Sequence, residues 1–435
     1  MTRVFLGGGI WCLIFFVVVP CAWAVRLDLE PGLFTSYEHT DNYFGTAHDE
    51  KSENIFEIGP RIDLSALWPQ AECFLSGHAA QSQHNRYSSD DSMEAGLDAR
   101  AFFEGRYQGL SINYAWLQSR SRDTLERAWG MSRDISGGFD WSFAHSERFA
   151  MDLGYAMAEE YVPYPDEDVS SRFGSLGLSF GLTRTTDLGT NFSYDTYRYD
   201  GGRAVSVSSA GLDLNHALTT RTSLGLALGY EHHRPQRQAN EDIYTTSLLF
   251  EHMTDPYTSL YARAGVSWLR IEGRTDEDHR IHTRTDDTVD ASLGMRREMS
   301  DALTMSMNCA QGYSHEYTSL QTGITKTRSA DLLLEYMFNR DLRWSLDAGV
   351  TQRTPPHGQL ETTDIHSRMD MHWRPCEHIN VGLSYEYLGY LYGISDTLKN
   401  ELRASMGDQG FYQYRYSTLD PEEENRYILT IEVIF

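Results

Sequence analysis

The sequence predicts an all-β protein: a single antiparallel transmembrane β-barrel of about 20 strands, within roughly 18–22, with short periplasmic turns and longer external loops. Three observations predict it. Apolar residues recur at every second position through most of the chain. Tight polar turns alternate with longer polar loops. The last segment is an alternating apolar strand that stops on phenylalanine. Successive side chains of a strand face opposite sides, so this alternation builds one greasy face and one hydrophilic face.

The chain opens with a segment that reads as a cleavable signal peptide, residues 1–24. Arg3 supplies the positive start, Val4 to Val19 is apolar and uncharged, and Pro20 breaks the run. Ala22-Trp23-Ala24 is then a small-x-small cleavage site. The expected mature unit is one outer-membrane barrel over residues 25–435. It contains no second apolar stretch of about 18 residues, so a membrane location requires strands that close on themselves. The alternation resumes within a few residues of Val25, which predicts no plug domain ahead of the barrel.

Strand after strand repeats the pattern. Leu224, Leu226, Leu228 and Tyr230 alternate with Gly225, Ala227 and Gly229, and Leu176, Leu178, Phe180 and Leu182 with Gly177, Ser179 and Gly181. Others carry charge on the second face. Met93 to Phe103 interleaves Glu94, Asp98 and Arg100, and Leu342 to Val350 interleaves Arg343 and Asp347. Leu260 to Trp268 interleaves Arg263, and Ile379 to Tyr387 interleaves Glu386. A soluble sandwich also alternates, with its apolar face on a core. The number of segments, each reaching the roughly 9–11 residues of a tilted membrane strand, favours the barrel.

The expected short turns are Trp68-Pro69-Gln70, Thr186-Asp187, Thr254-Asp255-Pro256, Asn339-Arg340-Asp341 and Arg374-Pro375-Cys376. The longer loops are Thr40–Lys51, Pro163–Ser170, Glu272–His282 and Gly393–Asn425, the last with room for a further hairpin over Asn400–Met406 and Phe411–Ser417. Tyr107, Trp116, Tyr155, Tyr161, Trp373 and Tyr390 stand near strand ends, where interfacial aromatics belong.

The C-terminal strand carries the most specific signal. Tyr427, Leu429, Ile431, Val433 and Phe435 occupy alternate positions, and Glu432 between them requires a lumen. The pattern resembles the terminal strand by which outer-membrane barrels are recognised for insertion, which implies outer-membrane lipid and the barrel assembly machinery as partners. It also implies a Gram-negative outer-membrane location.

Near the other end, Tyr37-Glu38-His39-Thr40-Asp41-Asn42-Tyr43-Phe44 closes the first strand and Ser52 to Pro60 opens the second through Ile58-Gly59-Pro60. These residues resemble the start of the "beta-barrel porin 2" family, where a Tyr-Asp-Asp-Asn-like turn precedes a segment ending in Ile-x-Pro. Thr40 replaces the first aspartate of that turn, and Glu53 stands where aspartate is usual. The resemblance implies a porin-like conduit associated with exopolysaccharide synthesis and export, with polysaccharide and periplasmic export components as partners.

Composition narrows the function. The net charge of −25 opposes binding to nucleic-acid phosphates. Cys73, Cys309 and Cys376, far apart, predict neither a disulfide framework nor a zinc site. In the expected register the lumen-facing set is Glu94, Asp98, Arg100, Asp152, Arg263, Asp331, Glu335, Arg343, Asp347, Glu386 and Glu432. Acids outnumber bases, which favours cations or neutral solutes over anions in a narrow pore. Solvation of the lumen and lateral ion pairing are the plainer uses of each.

An enzyme is not expected. A barrel-rim hydrolase would have to draw on His232-His233, His279, His282 or His315-Glu316, with no His-Glu-x-x-His, nucleophile elbow or phosphate-binding glycine loop in the chain. Asp276-Glu277-Asp278 lacks the spacing of a calcium loop. No cofactor or metal is expected. The two leading readings are a passive conduit and a non-conducting barrel whose loops fold inward or bind a partner.

Overall fold

The computed structural model describes residues 26–434 except 43–50, 88–90, 123–128, 147, 163–166, 200–203, 237–239, 273–282, 301, 318–321, 355–359 and 395–421. The expected signal peptide, Phe435 and the candidate hairpin within 395–421 therefore lie outside the described residues.

Among the described residues, twenty strands follow one another. The first five are β1 (Arg26–Thr40), β2 (Glu53–Trp68), β3 (Ala71–His84), β4 (Ser92–Glu104) and β5 (Gln108–Arg122). Next come β6 (Trp129–Ser146), β7 (Phe149–Val162), β8 (Glu167–Gly181), β9 (Thr186–Tyr199) and β10 (Ala204–Ala217). Then follow β11 (Thr222–Pro235), β12 (Asn240–Asp255), β13 (Thr258–Glu272), β14 (Thr283–Ser300) and β15 (Leu303–Tyr317). The last are β16 (Thr322–Asn339), β17 (Leu342–Thr354), β18 (Leu360–Cys376), β19 (Ile379–Ile394) and β20 (Glu422–Ile434).

Each strand pairs antiparallel with the next, and β20 returns to β1 from Gly32↔Ile434 to Thr40↔Arg426, so the sheet closes. Closure removes the unpaired edges that neither water nor lipid would satisfy. Twenty strands spaced about 4.8 Å apart and tilted about 40° give a backbone cylinder roughly 40 Å across, wide enough to hold an aqueous interior.

Which face is concave follows from contacts that skip a strand. Arg61 on β2 reaches Glu432 on β20 at 2.9 Å across β1. Ser247 on β12 reaches Asp290 on β14 at 2.5 Å across β13. Side chains two strands apart converge only inside a curved sheet, so the polar face is the inner one. The leucine rows are outside: Leu226 pairs with Leu214 and Leu248, and Leu212 with Leu228. Leu248 is 65 % and Leu293 63 % exposed, on a surface too extensively apolar for water. The protein is an integral outer-membrane β-barrel.

Connections at one end are short, as at 69–70, 256–257, 340–341 and 377–378, and at the other end reach 41–52 and 395–421. We take the short-turn end as periplasmic. Two turns lie elsewhere than the residue types suggested. Thr186 and Asp187 already belong to β9, and the reversal occupies 182–185, where Thr183 Oγ1 takes the N–H of Thr185 and donates to Thr186 Oγ1. Arg374-Pro375-Cys376 belongs to β18, whose register shifts between Trp373 and Cys376, and the reversal is at 377–378. A bulge accommodates Pro375, which has no N–H for the ladder.

Candidate functional site

The lumen is the candidate site, and its charged groups come from strands that alternate cleanly enough to hold them all to one side. The strand register gives each residue of the sequence-derived set its neighbours. Asp98 and Arg100 pair with each other at 2.8 Å, while Glu94 stands beside Ala80 in register. Asp152 stands opposite Gly177, Asp331 opposite Asn308, and Glu335 opposite Ser345. Arg343 stands opposite His372 and Asp347 opposite Arg368, with His366 3.8 Å from Asp347. Arg263 Nε holds Asp290 at 2.7 Å. Glu432 meets Arg61 at 2.9 Å and accepts from Asn380 at 3.2 Å.

The densest cluster lies where the barrel closes. Arg426 on β20 reaches Glu424 at 2.7 Å, Glu386 of β19 at 3.9 Å and Glu38 of β1 at 4.0 Å. Thr40 donates to the buried Glu424 at 2.9 Å, and Asp41 accepts from the backbone and side-chain N–H groups of Asn425 at 2.8 and 2.7 Å. Glu53 is 1 % exposed and accepts from the backbone N–H groups of Asn54, Asn85 and Arg86 at 2.9, 2.9 and 3.0 Å. The Thr40-Asp41-Asn42 and Glu53 positions singled out by the turn motif thus fasten β1 to β20 and order the start of the β3–β4 connection.

Aromatic rings also point inward, which the alternation did not announce. Phe74 and Phe102, 39 % and 43 % exposed, meet edge to face with centroids 6.4 Å apart. Phe34 meets the ring of His78 at 6.0 Å in the same geometry. Arg61, Asp63, Asp98 and Arg100 line a recess of about 570 Å³ with the first two rings. Phe74 escaped notice because Cys73-Phe74-Leu75 is apolar on both faces, so periodicity there does not say which side is inside.

At the external mouth the β15–β16 hairpin leans across the opening. Below Ala291↔Gln311, β14 and β15 are paired, but no pairing continues above it. Ile324 shares a face with Arg328, Ala330 and Leu332, which lower down is the lipid side, yet it is 2 % exposed. It packs with Ile243, Leu269 and Ile271, whose side chains point into the barrel, and with Tyr313. Lys326 Nζ then ties the hairpin to Asp286 at 3.0 Å and to the Asp287 carbonyl at 3.0 Å.

Among the described residues, His232 and His233 are not brought together. His232 and His233 are sequence neighbours in a strand and face opposite sides. His232 contacts Asp242 at 2.8 Å on the outer face beside Tyr230, while His233 is buried against Glu231 at 3.2 Å inside. His279, His282, the side chains of His315 and Glu316, and Asp276–Asp278 lie outside the description. Cys73 is buried and Cys309 and Cys376 are exposed, all three as free thiols. Of the aromatics expected at the interface, Tyr155 and Trp373 are outward and exposed, and the side chain of Tyr390 lies outside the description. Inner residues the sequence reading passed over include Glu38, Arg61, Asp290, Asp370 and Arg426. Period two extended through β1, β2, β14, β18 and β20 would have found them.

No family model matches the chain, and no curated protein matches it by sequence. Among solved structures it resembles BauA, the ferric preacinetobactin receptor of Acinetobacter baumannii, at TM-score 0.55 and 9% identity, over 94% of this chain and 81% of that one. It also resembles the siderophore receptor PirA of Acinetobacter baumannii, at TM-score 0.51 and 9% identity, again over 94% and 81%. The likeness establishes the fold: a large closed outer-membrane barrel.

Proposed function

We propose that this barrel is a porin-like conduit that lets polar solutes cross the outer membrane, with polysaccharide as its cargo. The observation that carries the reading is the combination inside the lumen of half-exposed rings with charged groups, Phe74 and Phe102 beside Arg61, Asp63, Asp98 and Arg100. Water alone does not favour exposed phenylalanines on a lumen wall. Sugar rings offer apolar C–H faces that stack on aromatics and hydroxyls that bond to carboxylates and guanidinium groups. The turn-motif resemblance to exopolysaccharide-associated barrels supports the same cargo, and the large barrel of the structural neighbours supports a transport role in general. Glu94, Asp98, Arg100, Asp152, Arg263, Asp331, Glu335, Arg343, Asp347, Glu386 and Glu432 are proposed to line this path.

The test is a planar-bilayer recording with sugars added to one side. Neutral oligosaccharides should interrupt the current, and Phe74→Ala with Phe102→Ala should weaken that block about tenfold. A deletion strain should lose surface polysaccharide. Steady conductance that sugars leave untouched, together with normal polysaccharide in the deletion strain, overturns the cargo assignment.

One observation favours the second reading, a barrel that does not conduct at rest. The β15–β16 hairpin covers inner-face residues at the mouth, leaving Leu269 fully buried. A silent bilayer with the wild type and an open one with Ile324→Asp would select it.

A further inference from the structure

The outer surface carries a second feature that a lipid-facing wall does not need. Near the external ends of their strands, Arg133 (β6), Arg172 (β8), Arg198 (β9) and Arg234 (β11) all stand on the outward face and are exposed. Register fixes their direction. Arg133 pairs with Tyr161, Arg172 with Thr196, Arg198 with Ala204, and Arg234 with Ser206, each on the face that carries the leucine rows lower down. Beneath Arg198 on the same face lie Tyr194 and Phe192; beneath Arg234 lie Tyr230 and Leu228; beneath Arg172 lies Leu176; beneath Arg133 lie Ile135 and Phe139. Each guanidinium therefore stands where a greasy row ends. No hydrogen bond or ion pair holds any of the four among the described residues. Glu159 is the outward carboxylate among the described side chains of β6–β11, and Asp242 on β12 is occupied by Tyr230 and His232.

Charged side chains facing lipid are costly in hydrocarbon and tolerated only at the headgroup level, so the row marks the external edge of the membrane. Between Arg198 and Arg234, β10 presents only Ala204, Ser206 and Ser208 outward, which leaves a shallow bay flanked by the two guanidinium groups with Arg172 diagonal to Arg198. The two flanks are about 10 Å apart by strand spacing. Guanidinium groups clasp phosphate through paired N–H bonds, and the outer leaflet of this membrane is built of a phosphorylated glycolipid.

We propose that Arg133, Arg172, Arg198 and Arg234 form a binding site on the outer wall for the phosphate groups of lipopolysaccharide. Tyr194 and Tyr230 lie under the headgroup at the hydrocarbon boundary, and the small residues of β10 admit the sugar. The site is independent of any solute path through the lumen.

The experiment compares wild type with an R133Q/R172Q/R198Q/R234Q variant and with an R184Q/R221Q control at the periplasmic end, all purified in detergent. Native mass spectrometry counts bound lipid A with both phosphates or with none, and heat-modifiable gel migration verifies that each barrel is folded. Wild type and control should retain bis-phosphorylated lipid A, and the quadruple variant should lose it by about tenfold or more, as expected when several charge-assisted contacts vanish together. Binding should weaken with salt. Equal retention by the folded quadruple variant, or equal binding of dephosphorylated lipid A, overturns the site. Full displacement by millimolar inorganic phosphate overturns the assignment to the lipid.

Discussion

Leu212 and Asp213 are neighbours in β10, and their opposite fates summarise how single residues are constrained. Leu212 pairs with Leu228 on the outer face, whereas Asp213 pairs with Ala227 on the inner one. Arginine at Leu212 would sit in hydrocarbon, and the expected cost is about 2–4 kcal/mol near the bilayer midplane. Arginine at Asp213 would meet water, with an expected cost below about 1 kcal/mol. Denaturant titration of the two variants in liposomes measures the difference, and equal costs would contradict the assignment of faces. Gly59 is constrained by backbone instead. A methyl group there would lie 1.8 Å from the Ala79 carbonyl oxygen, so the glycine before Pro60 is required by the close approach of β2 and β3. Gly59→Ala should lower the yield of folded barrel, read as loss of the heat-modifiable band. Arg426 sits among Glu424, Glu386 and Glu38, and replacing it with methionine leaves those carboxylates crowded on one wall. The expected loss is about 2–3 kcal/mol, less than for a wholly buried ion pair because the arginine keeps some contact with water.

At the level of elements, strands were the most readable feature because lipid on one side and water on the other force strict alternation. Leu342 to Val350, Ile379 to Tyr387 and Tyr427 to Val433 all run as that pattern requires. The alternation tells which residues share a face, however, and not what the face meets. Ile324 and Tyr313 obey it and still end inside the mouth, because the β15–β16 hairpin departs from the wall above Gln311. Turn positions were less readable, since threonine, aspartate and proline suit both a reversal and the bulge beside it. Several periplasmic reversals follow such a bulge, at Met253/Asp255, Glu298/Ser300, Met337/Asn339 and Trp373/Cys376. Inward phenylalanines were hidden where both faces of a strand are apolar. Ile324→Asp should release the hairpin by placing a carboxylate against Leu269, and single-channel conductance should rise. Unchanged conductance would mean that the hairpin does not narrow the path. On β20, Val433→Asp should reduce insertion of the newly made chain, seen as accumulation of the protein outside the membrane fraction.

On the scale of the whole molecule, the lumen mixes fixed carboxylates with arginines that are mostly tied to them, as in Arg61 with Asp63 and Glu432, Arg263 with Asp290, and Arg368 with Asp370. Pairing cancels field locally, but acids outnumber bases among the residues proposed to line the path, which would leave the interior net negative. If the path conducts as proposed, cations should pass more readily than anions, and a potassium chloride gradient should give a reversal potential of the corresponding sign. Raising ionic strength should shrink that preference. The hydrogen bond from Thr40 to Glu424 joins residues 384 positions apart. That one contact sets a timetable. The cylinder stays open along a full-length slit until its last ribbon arrives, so the nineteen described strands before it must wait with two adhesive margins exposed, and assembly is slowest and most vulnerable to neighbours just before the zip is drawn shut.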